Sequence, residues 1–400
     1  MTSETKVDVK ALELEHVLQI YRRQPVVFDR GEGVRLFDDQ GRSYLDFVSG
    51  IGVASLGHAH PALARAVADQ AATLIHTSNL YFHPLQGELA SRLSALTGFD
   101  RAFFCNSGTE AVEACLKFAR RYWHTKGDTS RTKFVAFDHS FHGRTMGSLS
   151  VTWDAHYRAP FEPLIPTVVF AETARPADLA ALVDDQTAAI IVEPIQGEGG
   201  VRPLSAALVA AIAEACARTG ALLIADEVQS GSGRTGTFIH SRTLGLKPDV
   251  LALGKALGAG VPIGAAMLSA DVAKAAVPGD HGTTYGGNLL ACRAALTFLD
   301  VLQGGLQESI ARVSTHLFSG LRALQAAHPG LINDVRGAGL IAGVDLSVDA
   351  QAVVSAALDR RLLINRTSTT VVRLLPPYIA TESDVDEALG ILDQALKAVR

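Results

Sequence analysis

The chain has few cysteines, few charged residues and no long unbroken apolar run, and each shortage narrows what it can be. Its four cysteines, Cys105, Cys115, Cys216 and Cys292, make no CxxC pair and follow no regular spacing. Scattered thiols in a chain this long suit a reducing compartment, not a disulfide framework. Charged residues are 19% of the total, and 36 Lys and Arg against 41 Asp and Glu leave a formal charge of −5, with the cations dispersed. No cationic stripe is present to neutralise phosphates along a duplex, so nucleic acid is not an expected partner. Residues 1–19 mix acids with bases and lack the apolar core of a signal peptide. The most apolar helical stretch, 206–217, carries Glu214 and is too short to cross a bilayer. The expectation is therefore a cytoplasmic location and no membrane partner. No GxxxxGK[ST] loop occurs, which argues against a P-loop nucleotide hydrolase. Repeats and low-complexity tracts are absent as well.

What is present is core-forming material. Hydrophobic residues make up 48% of 400, with 36 glycines, which suits a globular enzyme of two to three domains. Residues 10–22 read as an amphipathic helix, 34–37 and 43–47 as a hairpin around the turn 38–41, and 61–75 as a helix opened by Pro61. From about residue 100, short apolar runs alternate with helical periods. Strands are expected at 101–105, 133–137, 167–170, 188–192, 221–225 and 250–253, with helices from 108 and at 176–184 and 205–219. This alternation predicts an α/β fold with a mostly parallel, doubly wound sheet covered on both faces. Such sheets bind ligands beyond the carboxyl ends of their strands. After a helix at 288–303, helices at 305–327, 349–361 and 382–399 and strands at 331–336, 339–346 and 371–374 predict a smaller α+β domain. The expected division is 1–55 as a segment packing with the small domain, 56–296 as the large domain and 297–400 as the small one. The hairpin is too small to stand alone.

Several motifs fall where strands end. Ser107-Gly108-Thr109 joins the strand at 101–105 to a helix, which is either a phosphate seat or an ordinary N-cap. Asp226, after the apolar run 221–225, is a metal ligand, a structural anion or the partner of a buried cation. A carboxylate facing a heterocyclic nitrogen fits best, because it keeps a pyridine ring protonated as an electron sink requires. Lys255 follows the apolar run 251–253 and precedes Gly258-Ala259-Gly260-Val261-Pro262. A lone lysine is ordinarily solvated, but one at the end of a core strand is where a carbonyl-condensing amine belongs. Phe141-His142-Gly143-Arg144, the segment from Glu193 to Glu198, the loop from His281 to Asn288 and Arg373 point to the same cleft. Each has a plain reading as a packing aromatic, surface charge or turn; their joint order along the chain argues against it.

Taken in order, Leu56-Gly57-His58-Ala59-His60-Pro61, Asn106-Ser107-Gly108-Thr109-Glu110-Ala111, Phe141-His142-Gly143-Arg144-Thr145, Asp226-Glu227-Val228-Gln229 and Thr283-Thr284-Tyr285-Gly286-Gly287-Asn288 resemble class III (ω-amino) aminotransferases of fold type I. The likeness is nearest to the acetylornithine branch and runs over about 37–378. It implies pyridoxal 5'-phosphate as cofactor, no metal, and a homodimer with shared active sites. Lys255 is then the covalent anchor and proton carrier, and Asp226 the partner of the pyridine nitrogen. Phe141 and Val228 lie on the two ring faces, with Gln229 near the phenolic oxygen. Ser107, Gly108 and Thr109 bind phosphate, joined by Thr284 from the neighbouring subunit. Arg144 anchors the α-carboxylate of the ω-amino substrate, Arg373 that of glutamate or 2-oxoglutarate, and Glu198 masks Arg373 between the two. Thr283 reaches the substrate from the partner chain. Val112 and Ser55 depart from residues frequent in close relatives.

For the donor, the resemblance puts N2-acetylornithine first, serving arginine biosynthesis by ping-pong kinetics. Ile51 stands where ornithine enzymes often carry an aromatic. Residues 147–153 are similar to enzymes that act on lysine held by a small acidic carrier protein. Carrier-linked lysine, ornithine and 4-aminobutyrate stay open as donors. Keeping both arginines argues against an aminomutase acting on glutamate 1-semialdehyde.

Other classes fit less well. Gly231-Ser232-Gly233-Arg234-Thr235-Gly236 matches GxGxxG, yet four residues separate it from its strand and no helix pattern follows, against a dinucleotide-binding dehydrogenase. His58-Ala59-His60 suggests a metal-dependent hydrolase, with His139 and His142 as the only further ligands. A non-catalytic, cofactor-binding regulator is the last alternative, and no helix-turn-helix or extra domain is evident in the sequence to support it.

Overall fold

The computed structural model describes residues 8–399. The first seven residues of the 1–19 segment, and Arg400, lie outside the described residues.

Seven strands form the central sheet, in the order Arg101–Cys105, Gly264–Leu268, Val250–Leu253, Leu222–Asp226, Thr187–Val192, Lys133–Phe137 and Val168–Ala171. Six run the same way; Gly264–Leu268 is antiparallel to both its neighbours. The inner strands are buried on both faces, which explains their near-continuous apolar runs. Leu222, Ile224, Val250 and Ala252 pack on one side with Ala111, Cys115 and Leu116 of the helix Gly108–Thr125. On the opposite side, Leu223 packs with Leu208, Ile212 and Ala215 of Ala206–Thr219. That helix starts on the Ser205 side chain and stops at Gly220, whose φ of 75° is the left-handed cap glycine tolerates.

Among the described residues, a two-stranded ribbon, Ile195–Gln196 with Arg202–Pro203, and two four-stranded sheets complete the architecture. Phe28–Glu32, Arg35–Asp38 and Ser43–Asp46 form an antiparallel meander, and Leu362–Leu363 joins Ser43–Asp46 in parallel. The expected hairpin is thus part of a wider sheet completed by a segment more than 300 residues further on. Ile332–Ala338, Ile341–Leu346, Val371–Leu374 and Asn365–Arg366 form the other, fully antiparallel. Gln307–Ala327, Ala350–Asp359 and Glu382–Ala398 are its neighbouring helices, the last begun by a reciprocal Thr381–Asp384 cap.

Several expectations need correction. The strand Gly264–Leu268 is not among those expected, because Gly-Ala-Ala-Met-Leu has little of the β-branched and aromatic character that marks strands. Nor is the helix Pro84–Thr97, although Leu85, Leu89 and Leu93 are buried at helical spacing between Pro84 and the left-handed Gly98. The helix expected over 10–22 spans only Val9–His16; its Leu12 and Leu14 face solvent, so no packing extends it. The longest apolar helical run is Leu289–Ala327, 39 residues, rather than 206–217. It has the length and composition of a membrane-crossing helix. However, it kinks at Gly305 (φ 114°), and Phe298, Leu299, Val313 and Leu317 are buried in the core.

Candidate active site

Five of the parallel strands deliver chemistry at the same edge of the sheet. Arg101–Cys105 leads to Gly108, Lys133–Phe137 to Phe141, Thr187–Val192 to Glu193, Leu222–Asp226 ends on Asp226, and Val250–Leu253 leads to Lys255. Asp226 is paired in register with Ala252, three residues before Lys255, so acid and amine arrive side by side. A cavity of about 240 Å³ opens there. Gly108, Thr109, Phe141, Arg144, Glu198, Asp226, Val228, Gln229 and Lys255 line it, as expected from sequence; so do His142, Gly143 and Glu193, which lie in segments expected at the cleft but have no role assigned there.

Lys255 makes no hydrogen bond or ion pair among the described residues. Burial pushes its pKa down; Glu198 and Asp226 oppose that shift and Arg373 adds to it. A larger neutral fraction makes the amine a better nucleophile. Its φ of 41° is a strained, left-handed conformation for a lysine.

Asp226 is held from two sides: Oδ2 lies 2.7 Å from His142 Nδ1, and Oδ1 accepts from the Val228 N–H at 3.0 Å. Behind them, Glu193 accepts from the N–H groups of Phe141 (2.8 Å) and Gly197 (3.2 Å), tying the aromatic to the Glu198 loop. Burial pushes the Glu193 carboxyl up to about 7, His142 lowering it and Asp226 raising it further.

At the start of Gly108–Thr125, the Ser107 hydroxyl accepts from Glu110 N–H and donates to Glu110 Oε2, an N-cap. The Thr109 hydroxyl is taken up by Thr145 and Ser148. What this helix end offers an anion is its first backbone N–H groups, at Gly108 and Thr109, which have no intrahelical acceptor. A side chain at Gly108 would overlap Val228, so glycine is required there by close approach.

The two arginines differ. Arg144 is exposed and forms no ion pair among the described residues; its guanidinium lies 3.6 Å from the centroid of Tyr157, a residue that sequence reading does not single out, and 5.4 Å from that of Phe141. Arg373 is fully buried. Its Nη1 donates to Glu198 Oε1 at 2.7 Å and Gln229 Oε1 at 3.0 Å, while Nη2 is buried without a partner among the described residues. Burial pushes the Glu198 carboxyl up, but Arg373 and Lys255 outweigh it and hold it at about 2. Glu198 is therefore ionised whenever it covers Arg373.

Thr283 and Thr284 do not reach this cavity within one chain. They line a separate open cleft of about 1050 Å³ with Asn79, Asn106 and Glu110. The residues behind the rival readings are engaged elsewhere: His58 bonds Asp46 at 2.8 Å, and buried Arg234, inside the GxGxxG match, donates to the Leu340 and Pro376 carbonyls. Among the described residues no group of three or more His, Cys, Asp or Glu is placed to hold a metal.

The family model for class-III aminotransferases matches residues 19–396. The acetylornithine aminotransferase of Archaeoglobus fulgidus is 47% identical over 381 residues, covering 95% of this chain and 98% of that one. That of Aquifex aeolicus is 44% identical, covering 96% and 100%. Among solved structures, the ornithine aminotransferase of Toxoplasma gondii superposes with a TM-score of 0.93 at 32% identity, covering 98% of this chain and 94% of that chain. The acetylornithine aminotransferase of Elizabethkingia anophelis gives 0.87 at 33%, covering 97% and 98%.

Proposed function

This chain belongs to the class-III aminotransferases, pyridoxal-phosphate enzymes that move an amino group from a donor to a keto acid, and we propose that it transfers the ω-amino group of N2-acetylornithine to 2-oxoglutarate. One observation carries the substrate class: Arg144, a guanidinium without an ion pair among the described residues, lines the small cavity, and Arg373, a masked one, lies directly behind the Glu198 and Gln229 side chains that line it. Two carboxylate-bearing substrates that enter in turn need such a pair, one anchor always open and one uncovered on demand.

The residues fit the cofactor. A lysine amine with no hydrogen-bond partner among the described residues, a buried aspartate, an aromatic ring and Val228 in one cavity lining, and a glycine cradle at a helix N-terminus match an aldehyde, a ring nitrogen, a flat heterocycle and a phosphate. When bound, pyridoxal phosphate supplies a carbonyl for amines and a ring that accepts the electrons left by deprotonation. In this reading Lys255 would anchor it, and its Nζ would take and return the proton of the substrate carbon. Asp226, oriented by His142, keeps the ring nitrogen protonated. Phe141 and Val228 hold the ring flat, and Gly108 and Thr109 take the phosphate on backbone N–H groups, with Ser107 shaping that helix end as its cap. Arg144 orients the donor. Arg373 receives the acceptor once Glu198 moves aside.

We read the enzyme as a cytoplasmic homodimer of large (56–296) and small (297–400) domains, with the described part of the segment 1–55 joined to the small one where Ser43–Asp46 pairs with Leu362–Leu363. Leu80, Tyr81 and Phe82, at 84%, 69% and 107% exposure, form an apolar patch of a kind single chains seldom leave open. Thr283 and Thr284 lie in the cleft beside Leu80, which supports their reaching a neighbour's site.

A donor panel with 2-oxoglutarate tests the substrate. N2-acetylornithine should lead ornithine, 4-aminobutyrate and a lysine-bearing carrier peptide by about tenfold or more in kcat/KM, roughly one favourable charged contact. Ornithine is the second reading, favoured by the 0.93 superposition; its leading by that margin overturns the first.

A further inference from the structure

Gln229 closes a triangle. Its Oε1 accepts from Arg373 Nη1 at 3.0 Å, its Nε2 donates to Glu198 Oε1 at 3.3 Å, and the same carboxylate oxygen accepts from Arg373 Nη1 at 2.7 Å. The carboxamide is the one group in the triangle that touches both charges with opposite ends of its dipole. Beside it stands Gly197. Any side chain there would overlap Oε1, Cδ and Nε2 of Gln229. The Gly197 backbone lies outside the left-handed region, so this glycine is required for space and not for conformation. The turn at Gly197 is held in place by its N–H, which donates to buried Glu193.

We propose that Gln229 is the positioning residue that sets acceptor selectivity, with Gly197 the space that permits it. While a substrate without a second carboxylate occupies the cavity, the carboxamide holds Glu198 on Arg373. When a dicarboxylate arrives, Oε1 keeps its bond to Arg373, and the Nε2–H that reached Glu198 turns to the incoming carboxylate. One carboxylate oxygen replaces another, so the amide loses no hydrogen bond and the two arrangements stay close in free energy. A hydrocarbon at 229 would leave the exchange unguided. A carboxylate there would compete for Arg373 and repel the acceptor. The proposal rests on reading Arg373 as the anchor of the acceptor's carboxylate.

The test uses the holoenzyme, with glutarate, a five-carbon dicarboxylate that cannot accept an amino group, as calorimetric probe. Single-turnover rates of the two half-reactions are measured in parallel. Gln229→Leu and Gln229→Glu should each raise the glutarate Kd about tenfold or more, the loss expected for one charged hydrogen bond, and slow the acceptor half-reaction by a larger factor than the donor half-reaction. Gly197→Ala should reproduce this, and Gln229→Ser in the same chain should add little to the loss, because both act on the one carboxamide. An unchanged glutarate Kd in Gln229→Leu overturns the proposal, as does equal loss in both half-reactions. So does a Gly197→Ala defect to which Gln229→Ser adds its own loss in full. If Gly197→Ala does not fold, the Gln229 variants decide alone. Arg373→Ala separates the two layers: retained glutarate binding there overturns the anchor reading itself, whereas loss there with full binding in Gln229→Leu overturns only the role of Gln229.

Discussion

His142 and Asp226, 84 residues apart, meet at 2.7 Å through Nδ1 and Oδ2, both almost wholly buried. The contact leaves His142 Nε2 buried without a partner among the described residues. It fixes which way the aspartate faces, since Oδ1 is separately occupied by the Val228 N–H. His142→Ala should weaken pyridoxal phosphate retention about ten- to a hundredfold, the range for a hydrogen bond to a charged group. Equilibrium dialysis of the cofactor reads this directly, and His142→Asn should recover part of it. Unchanged retention in His142→Ala would show that Asp226 needs no orienting partner.

Lys255 is the lysine expected to carry the label when the holoenzyme is reduced with borohydride. Lys255→Ala removes a partly buried amine whose charged form burial disfavours, so the variant should fold and still take up the cofactor non-covalently. Turnover should fall by about a thousandfold or more, as for loss of a nucleophile that also transfers protons. Peptide mapping that finds the label on another lysine ends the assignment.

Gly108→Ala pushes a methyl into Val228. The backbone or the Val228 side chain must shift, and the cradle for the phosphate shifts with it. Cofactor affinity should drop about tenfold or more, and Val228→Ala in the same chain should restore most of it by making room. No drop in the single variant would place the phosphate elsewhere.

The Glu198 carboxyl sits at about 2, below its ordinary 4.5. A depressed carboxyl stabilises the folded state above the unfolded pKa and loses that contribution as pH falls through the folded one. The wild type should therefore exceed Glu198→Gln in thermal stability by a near-constant margin from pH 7 to 5. The margin should shrink steadily below about 4.5. A margin that instead grows on acidification would contradict an ionised Glu198 over Arg373.

Tyr81→Ser with Phe82→Ser removes most of the exposed apolar patch. If a second copy covers it, the variant should sediment as a monomer and release cofactor, because the Thr284 hydroxyl then has no neighbouring site to reach. A dimer of unchanged strength, or a monomer with full cofactor affinity, would refute the shared site.

Much of the site is legible in the amino-acid sequence. The runs 134–137 and 250–253 are apolar throughout because both faces of an inner parallel strand are covered, and that habit shows in four residues. Strand ends then mark where chemistry can sit, so Asp226 and Lys255 can be read together. The helix Pro84–Thr97 carries the same quality of signal in Pro84, Gly98 and its buried leucines, although it is absent from the expected elements. Gly264–Leu268 carries none, for small residues say little about backbone direction.

By itself, then, the sequence determined the strand–helix alternation and which residue types stand at strand ends, because backbone periodicity and caps act within a few residues of each other. Only the tertiary structure decided that His142 meets Asp226, that Tyr157 carries Arg144, and that Gly197 makes room for the Gln229 carboxamide. Those pairings depend on strand order and loop path, which the packing of the whole core selects and no local stretch of chain encodes.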